Sequence, residues 1–298
     1  MIAIGTGSAW LVTAYDFRGR ALLDWALLLP LAVPTYIVAY AYMDILHPIG
    51  PLQTGLRALL GLEGPRDLQL PDIRSLWGCV LLLGFVLYPY VYLTTRAMFL
   101  MQSASLLEAA RTLGQGRHGM FLRVALPLAR PAVAVGASLA LMEAINDIGA
   151  SEFLGVRTLT TSIYATWVNR SDLAGAAQIA LTLLVIVAAL LLLERAGRRR
   201  QRYNLSAQRA RRMAPQRLRG WRAGLAFGLG FMPVLIGFLA PAIYLVGESV
   251  KRFRFAGFPP GLLEVTWNTV WLASLATAVT LLLGLVVAWS VRLRPGTL

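Results

Sequence analysis

Six stretches of about twenty or more mainly apolar residues, roughly 21–43, 76–97, 131–150, 174–193, 223–247 and 269–291, constrain this chain more than any other feature of it. A helix that crosses ~30 Å of hydrocarbon needs about 20 such residues, and in lipid each backbone N–H and C=O must find its partner within the segment. Composition agrees, since the chain is 57% hydrophobic and only 14% charged, with a mean hydropathy of +0.64. The fold class this predicts is all-α, a polytopic membrane helical bundle with six full spans. The opening "MIAIGTGSAWLVTA" is apolar over only 14 residues, with neither a basic stretch before it nor a signal-peptide cleavage site. It reads as the tail of a truncated first span, whose glycine pair serves helix packing. The one cysteine, Cys79, lies inside an apolar run, which rules out a disulfide within the chain and predicts a packed thiol.

The net charge of +14 is distributed by topology. If the spans alternate, residues 15–20, 96–130, 194–222 and 292–298 share one face and hold 2, 5, 11 and 2 Lys or Arg, while the opposite loops 44–75, 151–173 and 248–268 hold 3, 2 and 3. Basic residues accumulate on the cytoplasmic side of membrane proteins, so the first set is predicted to be cytoplasmic. The basic residues lack the aromatic interleaving of a nucleic-acid platform, so nucleic acid is not an expected partner and the lipid bilayer is. The densest run, Glu194 to Arg222 with eleven arginines against one glutamate, reads as an anchor on anionic headgroups and as a linker. It separates 1–193 from 223–298, whose last span, "LLLGLVVAWSVRLRPGTL", echoes the chain's opening, a hint of internal duplication.

The cytoplasmic segment "EAARTLGQGRHGMFLRVALP", Glu108 to Pro127, carries no catalytic constellation. "SLLEAART" is rich in helix formers, with Ser103 or Ser105 placed to cap it. Gly114 and Gly116 permit an abrupt turn because glycine tolerates positive φ. A second short helix, "GMFLRVALP", is then expected to run to the Leu126-Pro127 step, where proline sets a new direction. Such a helix-turn-helix either rests on lipid headgroups as a connector or offers Ala109 and Ala110 as a narrow knob for a partner's groove, with Glu108 at its rim.

The spacing Glu-Ala-Ala, three residues, Gly, nine residues, an aliphatic residue, one residue, Leu-Pro is met in full by Glu108, Ala109, Ala110, Gly114, Val124, Leu126 and Pro127. This resembles the coupling loop of binding-protein-dependent ABC transporter permeases. "RALLDWALLLPLAVPTYIVAYAYMD" and "LALMEAINDIGASEFLGVRTLTTSIYATWVNRSDLAGAAQIAL" are similar to stretches of the ferric-iron type, which consists of two fused permease halves. The resemblance implies type I ABC importer permease architecture in a bacterial inner membrane. Residues 1–193 would form the first half, 194–222 the linker and 223–298 the start of a second half. The chain is thus expected to be an incomplete version of the fused pair, with a second permease half as partner.

The resemblance also implies a cytoplasmic ATPase dimer, a periplasmic binding protein and ferric iron as solute, with thiamine, phosphonate or polyamine as alternatives. No GxxxxGK[ST] phosphate loop is present, so no cofactor is expected on this chain, and ATP and Mg belong to the partner ATPase. Without Ser-His-Asp or HExxH constellations, a transport subunit is expected and a membrane hydrolase is not; an ATP-independent channel or carrier would need no coupling loop.

Within the fourth-from-last span, Glu143, Asn146 and Asp147 are polar, and Glu143 and Asp147, four apart, are expected on one helical face. Carboxylates at that depth face either a water-filled translocation path or a hydrogen-bonded packing network. A metal site is not expected, because no His or Cys clusters with them. Tyr164 and Trp167 of the outer loop, with Arg170 and Asp172 beside them, suit an interfacial aromatic belt and cap, while the resemblance implies that such loops receive the substrate-loaded binding protein.

Overall fold

The computed structural model describes residues 1–62, 64, 67–102, 112, 114, 116, 119–199 and 215–293, with side chains described except at 193–199 and 291–293. Two packing units are present, Met1–Leu245 and Val246–Leu298.

In the first unit the chain runs through α1 (Ile2–Ala14), a short strand β1 (Tyr15–Asp16), α2 (Arg20–Ala26), α3 (Thr35–Ile45), α4 (Pro51–Leu60) and α5 (Leu76–Met101). It continues through a π turn (Met120–Ala125) into α6 (Leu126–Asn146), then α7 (Gly149–Phe153), α8 (Leu159–Tyr164) with a second π turn (Ala165–Asn169), and α9 (Leu173–Arg199). After β2 (Gln216–Arg217) come α10 (Trp221–Val234), a third π turn (Leu235–Leu239) and α11 (Ala240–Ala256), whose end lies in the second unit with α12 (Leu262–Leu293). Five helices, Leu76–Met101, Met120–Asn146, Leu173–Leu192, Trp221–Ala256 and Leu262–Ser290, are long and apolar enough to cross a membrane. The fold is all-α, as the apolar runs require.

The expected span 21–43 is not one straight helix. It is a bent pair, Arg20–Ala32 and Thr35–Ile45, turned by 94°. Pro30 and Pro34 account for the break: each lacks an N–H, and its ring clashes with the carbonyl four residues back. The second short helix expected before Pro127 is also absent as a separate element, because the π turn Met120–Ala125 continues directly into α6. Two of the π turns, ending at Ala125 and Leu239, stand two residues before a proline, Pro127 and Pro241. A widened turn is a way for a helix to absorb proline's missing donor and ring without ending.

The core is built around α5, which packs between α1 and α6. Small residues allow the approach: a Cβ on Gly5 would come within 2.7 Å of Val91 Cβ and 2.8 Å of the Tyr88 carbonyl, and one on Gly136 within 2.7 Å of Val91 Cα. Of the opening glycine pair, Gly5 makes this contact and Gly7 faces open space. One apolar cluster joins Trp10, Phe17, Phe99, Met120 and Ala226; a second, at the other end of α5, joins Val38, Cys79, Leu83, Ala150 and Leu154. Cys79 is buried there, in agreement with its reading as a packed thiol.

Candidate coupling site and membrane-embedded polar groups

The first apolar cluster gathers three of the segments that charge assigns to the cytoplasmic face. Tyr15 and Phe17 come from the first, Phe99, Met120, Phe121 and Val124 from the second, and Leu218 from the third. The same end is stitched by main-chain pairing of Tyr15–Asp16 with Gln216–Arg217 and by the Leu218 N–H donating to the Asp16 carbonyl at 2.8 Å. Three loops separated by spans meet at one end of the bundle, as the alternation of sides requires.

At this end the segment between α5 and α6 is held at both of its roots. Met101 closes α5, and Gln102 turns extended with φ −65° and ψ 134°. The buried Gln102 side chain reaches across, its Nε2 donating to the Ala125 carbonyl at 3.0 Å. Trp10 of α1 wedges between the two roots, its ring centroid 5.3 Å from Phe99 in edge contact and 5.2 Å from Phe121. Val124 packs on the same cluster, Leu126 is half-buried and Pro127 occupies the first turn of α6. Gly114 has φ +78°, the left-handed region expected of it, with nothing among the described residues within 4 Å of a would-be Cβ. Glu108, Ala109 and Ala110 lie outside the described residues. The roots are therefore part of the packed core and are joined to α1, α5 and α6.

Sequence reasoning did not single out Gln102 or the aromatic wedge, because their role depends on α1 returning to the far end of α5. It also passed over the Asp24, Arg96 and Tyr92 constellation. Arg96 of α5 pairs with the Asp24 carboxylate of α2, and the Tyr92 hydroxyl donates to the same carboxylate and, at 3.0 Å, to the Asp24 carbonyl. An aspartate inside an apolar run was the available signal, since an ionised group at membrane depth requires a partner.

The three polar groups proposed for the path do not share one face. Helix α6 ends at Asn146, and Asp147 is extended, with φ −69° and ψ 114°. Its carboxylate accepts from the Thr35 hydroxyl and from the Ala150 N–H at 2.9 Å, so the short aspartate side chain caps α7 instead of continuing α6. Glu143 and Asn146 remain on α6 and are exposed on the chain, whereas Asp147 is half-buried in a contact between α3 and α7. Tyr36 of α3 and Phe153 of α7 stack beside it, ring centroids 6.4 Å apart. Among the described residues no group of three or more His, Cys, Asp or Glu is placed to hold a metal ion.

Residues 1–203 match the family model described as "Binding-protein-dependent transport system inner membrane component". A protein of Haloferax volcanii named as a probable molybdenum ABC transporter permease is 32% identical over 199 residues, covering 66% of this chain and 69% of that one. The sulfate transport system permease protein of Salmonella typhimurium is 30% identical over 149 residues, 49% of this chain and 50% of its own. A Salmonella choleraesuis protein named for 2-aminoethylphosphonate transport system permease is 28% identical over 188 residues, 62% of this chain and 65% of its own. None of these three is named for iron.

Proposed function

We propose, from the premise that the chain belongs to the family of binding-protein-dependent transport system inner membrane components and is a multi-pass permease subunit of an ABC importer, that its solute is a small tetrahedral oxyanion. Molybdenum in neutral water is carried as molybdate, which shares with sulfate and a phosphonate head a tetrahedral centre and negative charge. The names borne by the relatives favour this class over the ferric iron suggested by the ferric-type resemblance.

In this reading a partner ATPase dimer binds ATP with Mg and closes on the cytoplasmic side, and a binding protein delivers the solute outside. The carrying observation is the tied base of the loop, Gln102 on Ala125 and Trp10 between Phe99 and Phe121. A loop fixed to three spans transmits movement as a rigid lever; Glu108, Ala109 and Ala110 would make the contact with the ATPase, and Gly114 would set the turn. Glu143 and Asn146, exposed along α6, would face the path, and a second permease half would complete it. Reconstitution with the ATPase and the binding protein tests the solute: molybdate or sulfate should stimulate ATP hydrolysis severalfold, and ferric ion should not. Stimulation by ferric ion alone would reverse the assignment.

A further inference from the structure

On the side opposite the coupling loop, α7, α8, its π turn and the first turns of α9 line an open cavity of about 500 Å³ whose lining includes Arg157 and Arg170. These are the only two basic residues in the stretch 151–173, and both open on the same space. Among the described residues neither has a carboxylate within salt-bridge distance, where Arg20, Arg96, Arg217 and Lys251 each do. Of the two acidic residues in the stretch, Asp172 is not part of the lining and accepts from the Gly175 N–H at 2.8 Å, as the cap of α9. Glu152 does line it. Two basic residues and one acidic residue therefore line the cavity, which carries net positive charge.

Both arginines are mounted on fixed turns. Gly155, at φ +70°, reverses the chain after α7, and the Val156 N–H returns to the Ser151 carbonyl at 2.8 Å, which sets the position of Arg157. The Arg170 N–H donates to the Ala165 carbonyl at 3.2 Å, and Ser171 follows at φ +54°. Asn169 and Thr166 add an amide and a hydroxyl to the lining. Two exposed arginines that line one cavity, with no carboxylate at salt-bridge distance among the described residues and with neutral donors beside them, form a site for a tetrahedral oxyanion. The volume exceeds one such ion, so it enters with part of its water and is held loosely, which suits a site that must pass its ligand on.

We infer that this outer cavity is an anion-receiving site, with Arg157 and Arg170 as its ligands, where the oxyanion released by the binding protein first meets the permease. The inference rests on the oxyanion reading above. A carboxylate from a docking protein shares the same chemistry, so the test must separate the two sources. Calorimetric titration of molybdate and sulfate into the assembled transporter in nanodiscs, without binding protein, should show weak saturable binding. Arg157→Gln or Arg170→Gln should weaken it about tenfold, as expected for one lost charge-assisted hydrogen bond. Arg170→Lys should weaken it less, and Glu152→Gln should tighten it severalfold by removing a like charge.

Absence of saturable binding to the wild-type transporter, or affinities unmoved by all four substitutions, overturns the site. So does weakened binding-protein association with unchanged oxyanion affinity, which would make the cavity a docking pocket. In the same preparations, oxyanion-stimulated ATP hydrolysis with the binding protein present reports separately on the solute assignment, so failure of the site alone leaves that stimulation intact.

Discussion

In the proposed coupling, single residues such as Gly114 and Trp10 would carry distinct parts. Gly114 sits at φ +78°, with no atom of the described residues within 4 Å of a would-be Cβ, so a substitution there strains the backbone. Valine in that region is strained by about 1–3 kcal/mol, enough to displace a short docking helix and too little to unfold the spans. Gly114→Val should lower transport several-fold at unchanged membrane insertion. Gly114→Asn, which tolerates the left-handed region, should retain most of it; equal loss in both would point to a contact and not to the turn. Trp10→Ala removes two ring contacts worth about 1 kcal/mol each and opens the base of the loop. ATP hydrolysis should persist in that variant while solute uptake falls, and unchanged uptake would count against the wedge. Gly114 was legible in the sequence because only glycine adopts its conformation freely. Asp147 was not, since periodicity counts four residues from Glu143 without showing that the intervening helix stops for a side-chain cap.

Among the elements, the spans were legible and their directions were not. Hydropathy locates apolar runs, and five of the six expected stretches correspond to helices long enough to cross. The sixth bends by 94° at Pro30 and Pro34, visible as prolines but silent as to angle, because the angle is set by packing on α5 and on Gly237. The contact of α5 with α6 gives a direct test of packing at this scale. A Cβ on Gly136 would approach the Tyr90 carbonyl to 2.8 Å and Val91 Cα to 2.7 Å, backbone atoms that cannot yield as a side-chain tip can. Gly136→Leu should therefore destabilise by at least about 1–3 kcal/mol, read as a lower thermal unfolding temperature in detergent. Gly7→Ala, which meets nothing within 4 Å, should leave that temperature unchanged or slightly raised. Equal effects at the two positions would contradict the packing of α1 and α6 on α5 described above.

For the molecule as a whole, sidedness joins charge to mechanism. Twenty of the 28 basic residues fall in segments assigned to one face, and three of those segments meet in the cluster around Trp10. A reporter active only in the cytoplasm should thus be active when fused after Gln115 or Gln208 and silent when fused near Asp67 or Arg170; activity near Asp67 would invert the assignment. The motif from Glu108 to Pro127 stands out because its spacing is local, whereas the contact at its base joins Trp10 to Phe121, more than a hundred positions apart, and no local pattern records such a pair. In the proposed mechanism this tied loop converts ATPase closure into solute movement. Proteoliposomes holding the assembled transporter and a loaded binding protein allow solute taken up per ATP hydrolysed to be measured for the wild-type chain and for Gly114→Val. The ratio should be several-fold lower in the variant at equal permease insertion; an unchanged ratio, with the ATPase bound as in wild type, would rule the lever out.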